Sequence, residues 1–249
     1  MKSVSFIFLF GLLPCLIFAQ FKMNDTTFLV REVKDSVDYG YDYYHAIYFE
    51  RNKNAQEYKW IADFGFSKFD SKKEYQRNIN YLKKTLKTKF KKVQLKDIIT
   101  RWCMLYSYKD SFYMYSPSEY CWNYQFQITD SVVVDKGCER ILSALDTIIK
   151  KSDTHYQLKL KSTRYSLQHW EKFIRTINIY IINKKEGIAV FEDDYSGKKE
   201  YNLMINATNI NHFPLIVNYC KTDKQFDEFE FDKIDFESLL KKFRTQKSR

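Results

Sequence analysis

Histidine is the residue type in this sequence best suited to metal binding or acid–base catalysis, but its spacing supports neither. His45, His155, His169 and His212 lie far apart, and none has a second histidine or a cysteine at metal-ligand spacing. The sequence also lacks a G-x-S-x-G nucleophile motif and a glycine-rich phosphate loop, and it has only six glycines. We therefore predict no metal site and no cofactor, and we assign no catalytic residue.

An acidic run near the C-terminal third carries the oxygen ligands that calcium prefers. It reads Glu192-Asp193-Asp194 and is followed by Tyr195-Ser196-Gly197. The alternating ligand spacing of an EF-hand loop is missing from this run. We favour a solvated hairpin tip, because turn-forming residues account for the same pattern.

Aromatic side chains form the second group of candidates. In residues 119–129, aromatic and aliphatic side chains alternate with polar ones, which predicts a strand with one aromatic face. Tyrosine and tryptophan can stack on sugars or apolar ligands. An ordinary core between sheet and helices is the interpretation that we favour over a binding surface. The candidate ligand-binding face consists of Trp102, Tyr106, Tyr120, Trp122 and Tyr124.

A basic segment is the third candidate. Residues 71–92 hold nine Lys or Arg and one Glu, in a chain of net charge +10. Apolar residues at helical spacing from Tyr75 to Phe90 predict a helix that buries one side. An anionic partner, such as a lipid head group or an acidic glycan, would suit the other side, although we favour a solvated face. The basic side carries Lys73, Arg77, Lys84, Lys87 and Lys91.

The N-terminus has the organisation of a secretory signal peptide. A basic start, Met1-Lys2, precedes an almost wholly apolar run that ends at Phe18-Ala19. The stretch LIFAQ at residues 16–20 resembles the export signals of Bacteroidota, which often end in Ala-Gln. That resemblance covers the leader only and implies a periplasmic or secreted protein. Lipoprotein anchoring at Cys15 fits less well, because Pro14 stands where such a signal has a small residue.

Export would place the cysteines in an oxidising compartment, where disulfides can form. Removal of residues 1–19 leaves Cys103, Cys121, Cys138 and Cys220. Four cysteines permit two disulfides in three pairings, and buried free thiols are the alternative. Cys103 and Cys121 fall on neighbouring predicted strands, so they are the first candidates for a bridge.

The elements that must position these residues read as strands interrupted by helices. We predict an antiparallel meander over residues 97–135, a strand over 58–66, and helices over 71–91, 138–149 and 236–243. Short connections favour antiparallel pairing. The expected fold is α+β, a large antiparallel sheet or open barrel with about three helices packed against it. Residues 20–249 are expected to form a single domain, with a weak seam near residue 95 or 151.

These features favour a non-catalytic binding protein of the cell envelope or secreted space. Export, a tyrosine-rich sheet and the lack of a catalytic motif all permit that role. Its partner would be a glycan, an anionic lipid head group or another protein; nucleic acid is not expected outside the cell. The alternative is a hydrolase of envelope or host polymers, which a cleft with paired carboxylates about 5–10 Å apart would favour.

Overall fold

Most of the described residues lie in β-strands, and few lie in helices. The computed structural model describes residues 27–34, 43–64, 70–87, 89–118, 123–137, 140–166, 169–195, 197–220 and 228–246. The strands are β1 Thr27–Lys34, β2 Tyr43–Glu50, β3 Arg101–Met104, β4 Tyr106–Tyr108, β5 Ser111–Ser116, β6 Gln125–Ile128, β7 Val132–Lys136, β8 Arg140–Ser152, β9 His155–Ser166, β10 His169–Asn183, β11 Ile188–Tyr195, β12 Lys198–Asn206 and β13 Leu215–Cys220. The helices are α1 Gln56–Ile61, α2 Asp70–Leu86 and α3 Phe236–Gln246, with a 3-10 helix over Ala207–His212. None of the described helices has the length and apolar character needed to span a membrane.

Eight strands close into an antiparallel barrel. Going round it, the strands follow the order β3, β6, β7, β8, β9, β10, β11 and β12, and β12 pairs with β3 to close the ring. Eight strands enclose an interior just wide enough for side chains to fill it. Here that interior is a packed core, which includes Trp102, Phe126, Leu158, Ile179 and Phe191.

The other five strands form a second sheet, in the order β1-β2-β13-β5-β4. The β4–β5 hairpin turns at Lys109 and Asp110, whose φ angles of 48° and 60° suit a tight hairpin turn. One face of this sheet packs on the outside of the barrel through Met114, Leu215 and Val217, together with α1 and α3. The expected α+β fold is therefore confirmed only in part, since strands dominate and the barrel is closed.

The predicted helix over 138–149 is wrong, because residues 140–152 form β8. Leu142 faces outward to α2 and Leu145 faces into the barrel, so both faces of this strand are covered by apolar side chains. A register shift between Leu145 and Thr147 then restores Ile148 to the interior side. Apolar residues consequently recur every three positions, which imitates a helix.

Two further expectations about local structure also fail. The strand expected over 58–66 is replaced at its start by α1, which buries Tyr58 and Ile61 on one side. The expected meander over 97–135 is divided between the two sheets. The chain leaves the barrel after β3, forms β4 and β5 in the second sheet, and re-enters the barrel at β6.

Two of the expected helices are present. α2 packs Ile79 and Leu82 against the barrel exterior at β7 and β8. It ends at Leu86, and Lys87 takes a positive φ of 51°, so Lys91 lies beyond the helix. At α3 the Asp235 carboxylate accepts a hydrogen bond from the Ser238 amide at 3.0 Å, which lowers the Asp235 pKa. The single-domain organisation stays a prediction.

Candidate functional site

Three of the five residues of the predicted aromatic face are described, and these three lie apart from one another. Trp102 is 0% exposed inside the barrel, where its ring centroid lies 5.2 Å from that of Phe191. Tyr106 belongs to the second sheet, and its ring lies 4.4 Å from that of Phe231. Tyr124 packs at one end of the barrel interior. These three side chains therefore share no common surface; Tyr120 and Trp122 lie outside the described residues.

Cys103 carries a free thiol, so the predicted bridge to Cys121 is not present at this residue. Its side chain faces out of the barrel into the core beneath the second sheet, where Sγ donates to the Ile61 carbonyl at 3.4 Å. Burial raises the pKa of the thiol to about 12, which keeps it protonated and unreactive. Cys121 lies outside the described residues.

A charged cluster lies inside one end of the barrel. Arg175 on β10 donates to the Asp135 carboxylate at 2.5 Å and forms a forked pair with Asp193. The Tyr124 hydroxyl donates to Asp135 at 2.7 Å. The side chains of Arg175 and Asp135 are only 12% and 8% exposed. One cation therefore serves two carboxylates in a nearly closed space.

Burial and the neighbouring charges shift the pKa values of Arg175 and Asp193 in this cluster. Burial opposes the charge on Arg175, but Asp135 and Asp193 outweigh it, so the pKa of the guanidinium is raised. Burial raises the pKa of Asp193, although the Arg175 hydrogen bonds act in the opposite direction. Because Arg175 occupies the space between the carboxylates, the pair is not arranged to activate a water molecule on a substrate.

The sequence carries a signal for this cluster in the alternation of β10. Ile177, Ile179 and Ile181 alternate along one face of β10, and Arg175 occupies the same register. A cation in an inward register needs a buried partner. Asp193, which we interpreted above as part of a solvated hairpin tip, is instead one of these buried partners.

A second polar network lies on the face of the second sheet opposite the barrel. The Tyr115 hydroxyl donates to Glu228 and accepts from the Phe229 amide at 3.0 Å. Asn218 donates to Glu228 at 3.2 Å and pairs with the His45 imidazole at 2.8 Å. With Phe229 and Phe231 packed on β4 and β5, this network fastens residues 228–231 across the sheet. Its groups satisfy one another, which indicates a structural role.

The surroundings of His155 predict that the stability of the protein depends on pH. Its imidazole stacks on Tyr180 with the ring centroids 4.4 Å apart and pairs with Asn178 at 3.2 Å. Burial lowers the His155 pKa; Lys151 and Arg244 act in the same direction, whereas the Asn178 hydrogen bond and Glu192 oppose them. A histidine whose pKa is lower in the folded state binds protons better when unfolded, so its contribution to stability is lost as pH falls.

We therefore expect the free energy of unfolding to fall between pH 7.5 and pH 5, measured by urea denaturation at each pH. The fall should be smaller in His155→Gln, which keeps a hydrogen-bonding side chain but does not titrate. Identical slopes in the two proteins would show that His155 does not contribute to the pH dependence.

The basic side of α2 lies fully on the surface. Lys73, Arg77, Lys84 and Lys87 are exposed, as is Lys91 after the helix end. None of these five forms an ion pair with a described carboxylate, whereas Lys161 on neighbouring β9 pairs with Asp146 at 2.8 Å. At roughly 100° per residue, three of them align on the outermost side of the helix, opposite Ile79 and Leu82. We call Lys73, Arg77 and Lys84 the basic ridge.

Spacing along the helix makes the ridge a row of charges. At about 1.5 Å per residue, its three cations are separated by about 6 and 10 Å along the axis. The opposite side of α2 packs on Val132, Val134 and Leu142 of the barrel, so the row is carried by an anchored helix. Such a row can attract an extended anion.

No metal site is seen within the described ranges, because no group of three or more His, Cys, Asp or Glu side chains is placed there to hold a metal ion.

In comparisons with known proteins, no family model, no curated protein and no solved structure matches this chain.

Proposed function

We propose that this chain is an exported, non-catalytic binding protein of the cell envelope or secreted space, and that its partner is an acidic polysaccharide held along the basic ridge of α2. The observation that carries the proposal is the row of Lys73, Arg77 and Lys84, exposed and without a described carboxylate partner. A linear polymer with repeated negative charges is complementary to a row of cations.

Affinity at the ridge would come from several weak contacts. An exposed ion pair contributes about 0.2–1 kcal/mol, so no single lysine is sufficient. Because α2 is anchored by Ile79 and Leu82, the charges are positioned before the polymer arrives, which reduces the entropy lost on binding. Exposed charges are screened by salt, so binding should weaken strongly as ionic strength rises.

The packing of α2 favours a polysaccharide over a lipid surface. A helix that binds a membrane interface places its apolar side among the acyl chains. The apolar side of α2 is already buried against β7 and β8 of the barrel. The helix could therefore contact a bilayer through its cations, but its apolar side is not available to insert among the acyl chains.

The hydrolase alternative gains no specific support from the charged cluster. Asp135 and Asp193 are close, but Arg175 bridges them inside the barrel end. A glycosidase needs two carboxyl groups facing a substrate bond, one of them acting as an acid. The bridged pair instead resembles a structural ion cluster.

The proposal predicts that reversing the ridge charges abolishes polymer binding. Lys73→Glu, Arg77→Glu and Lys84→Glu together should lower the affinity for immobilised heparin or polygalacturonate by at least about 100-fold at low salt, because attraction becomes repulsion. Binding of the protein without its leader is measured by surface plasmon resonance at two salt concentrations.

The matched control reverses three exposed lysines elsewhere, with the same change in net charge. These substitutions are Lys184→Glu and Lys185→Glu on a hairpin turn and Lys233→Glu before α3. Together they should reduce binding only a few-fold. Equal losses in the two triple variants would show that net charge, and not the ridge, determines binding. Retention on anionic vesicles but not on either polymer would assign the ridge to lipid head groups instead.

A further inference from the structure

A cleft lies between α1 and the chain that follows β5. Its volume is about 360 Å³, and the residues around it include Trp60, Asp63, Ser116, Pro117, Ser118 and Asn123. Clefts of about 300–1,000 Å³ are typical of small-ligand sites. The lining combines one broad aromatic plane with a carboxylate, an amide and two hydroxyl side chains.

Trp60 is the unusual member of this lining. Its residue surface is 55% exposed, although the same short helix buries Tyr58 and Ile61 almost completely. A large aromatic side chain exposed to this extent, beside a concave surface and polar groups, marks a candidate contact site. Trp60 is therefore an exposed aromatic residue that lines the cleft.

The backbone that carries Trp60 is held from several directions. Asn123 Nδ2 donates to the Trp60 carbonyl at 3.4 Å, and Gln125 Nε2 donates to the carbonyl of Ile61. Lys136 Nζ donates to the Asp63 carbonyl at 2.8 Å. An exposed ring on a backbone fixed in this way is organised in advance, which reduces the free energy needed to order it in a complex.

The polar groups of the cleft determine which ligand it suits. Asp63 brings a carboxylate to the rim, and Ser118 donates to the Glu228 carboxylate at 3.0 Å. Two acids near one cleft disfavour an anionic ligand. Sugar rings present an apolar C–H face and a rim of hydroxyl groups, which match an indole plane bordered by amide, hydroxyl and carboxylate groups.

We infer that this cleft is a subsite for an uncharged sugar unit, whose ring stacks on Trp60 while Asp63 and Asn123 hydrogen-bond its hydroxyls. The inference concerns a different surface from the basic ridge and does not depend on the proposed function. It differs in chemistry as well, because stacking and neutral hydrogen bonds respond little to salt, whereas ridge binding depends on it.

The test uses the chain without its leader and hexasaccharides of glucose, mannose and N-acetylglucosamine. Isothermal titration calorimetry should give a millimolar or tighter dissociation constant for at least one of them, with less than about a twofold change between 50 and 500 mM NaCl. Trp60→Ala should weaken that binding at least tenfold. Asn123→Ala should weaken it to a smaller extent.

Two controls keep the result interpretable. Tyr81→Ala removes another exposed aromatic side chain, on α2, and should leave sugar binding unchanged. The ridge triple variant should also bind the sugar normally, which separates this site from the polyanion site. The inference is overturned if none of the three hexasaccharides binds at 10 mM, or if Trp60→Ala binds as tightly as the unaltered protein.

Discussion

Replacing Arg175 with methionine is expected to destabilise the protein by about 3–5 kcal/mol. Removal of one partner from a buried ion cluster leaves the other charges without compensation in a poorly solvated space. Here Asp135 and Asp193 would lose the guanidinium that both contact. The change is measured as the free energy of unfolding from urea titrations at pH 7.

Two further results are expected of the Arg175→Met variant. Its deficit relative to the unaltered protein should shrink between pH 7 and pH 4, because burial raises the pKa of Asp193 and protonation then removes one of the charges left without Arg175. Combining Arg175→Met with Asp135→Leu and Asp193→Leu should restore much of the lost stability, since no buried charge is then unpaired. A deficit below about 1 kcal/mol at pH 7 would show that water reaches the cluster freely.

Trp102→Ala is expected to cost about 3–5 kcal/mol, the usual range for removing a buried aromatic side chain. Trp102 is fully enclosed, contacts Phe191 edge to face, and donates its indole N–H to the Ile99 carbonyl at 2.9 Å. Alanine would therefore leave a cavity in the barrel core and an unpaired carbonyl. Chemical denaturation measures the loss.

Trp60→Ala is the matched control, because it makes the same chemical change at an exposed position. Surface substitutions usually change stability by less than about 0.5 kcal/mol, so the two variants should differ several-fold in their effect. Equal, small effects would mean that the barrel interior is loosely filled.

Strands with one consistent alternation could be predicted from the sequence. Ile177, Ile179 and Ile181 on β10 all face the barrel interior, as the period of two implied. The register also placed Phe126 and Ile128 on one face of β6. Periodicity succeeds here because each strand keeps its phase across these residues.

The failures have equally local causes. On β8, a register shift after Leu145 and a helix packed on Leu142 produced helical spacing in a strand. Alternation also identifies the face of a strand but not the sheet to which it belongs. Trp102 and Tyr106 are four residues apart, yet the chain passes between sheets at Leu105, so these two members of the predicted aromatic face lie in different sheets.

The candidate sites were accessible to sequence reasoning to different degrees. The basic side of α2 follows directly from helical periodicity. The Arg175 cluster joins the β10–β11 hairpin to β7, and Asp135 on β7 is 40 positions from Arg175, so only the inward register of Arg175 was visible beforehand. The Trp60 cleft depends on α1, which was expected as a strand, and on a contact between residues more than fifty positions apart.

The most direct test of the central claim is a lysine footprint of the protein bound to heparin. Lysines are acetylated with and without the polymer at low salt, and the modification of each is quantified by mass spectrometry. We expect strong protection at Lys73 and Lys84, with Lys184, Lys185 and Lys233 modified equally in both samples. Polymer binding with no protection at Lys73 and Lys84, or with equal protection at all five lysines, would contradict the proposal.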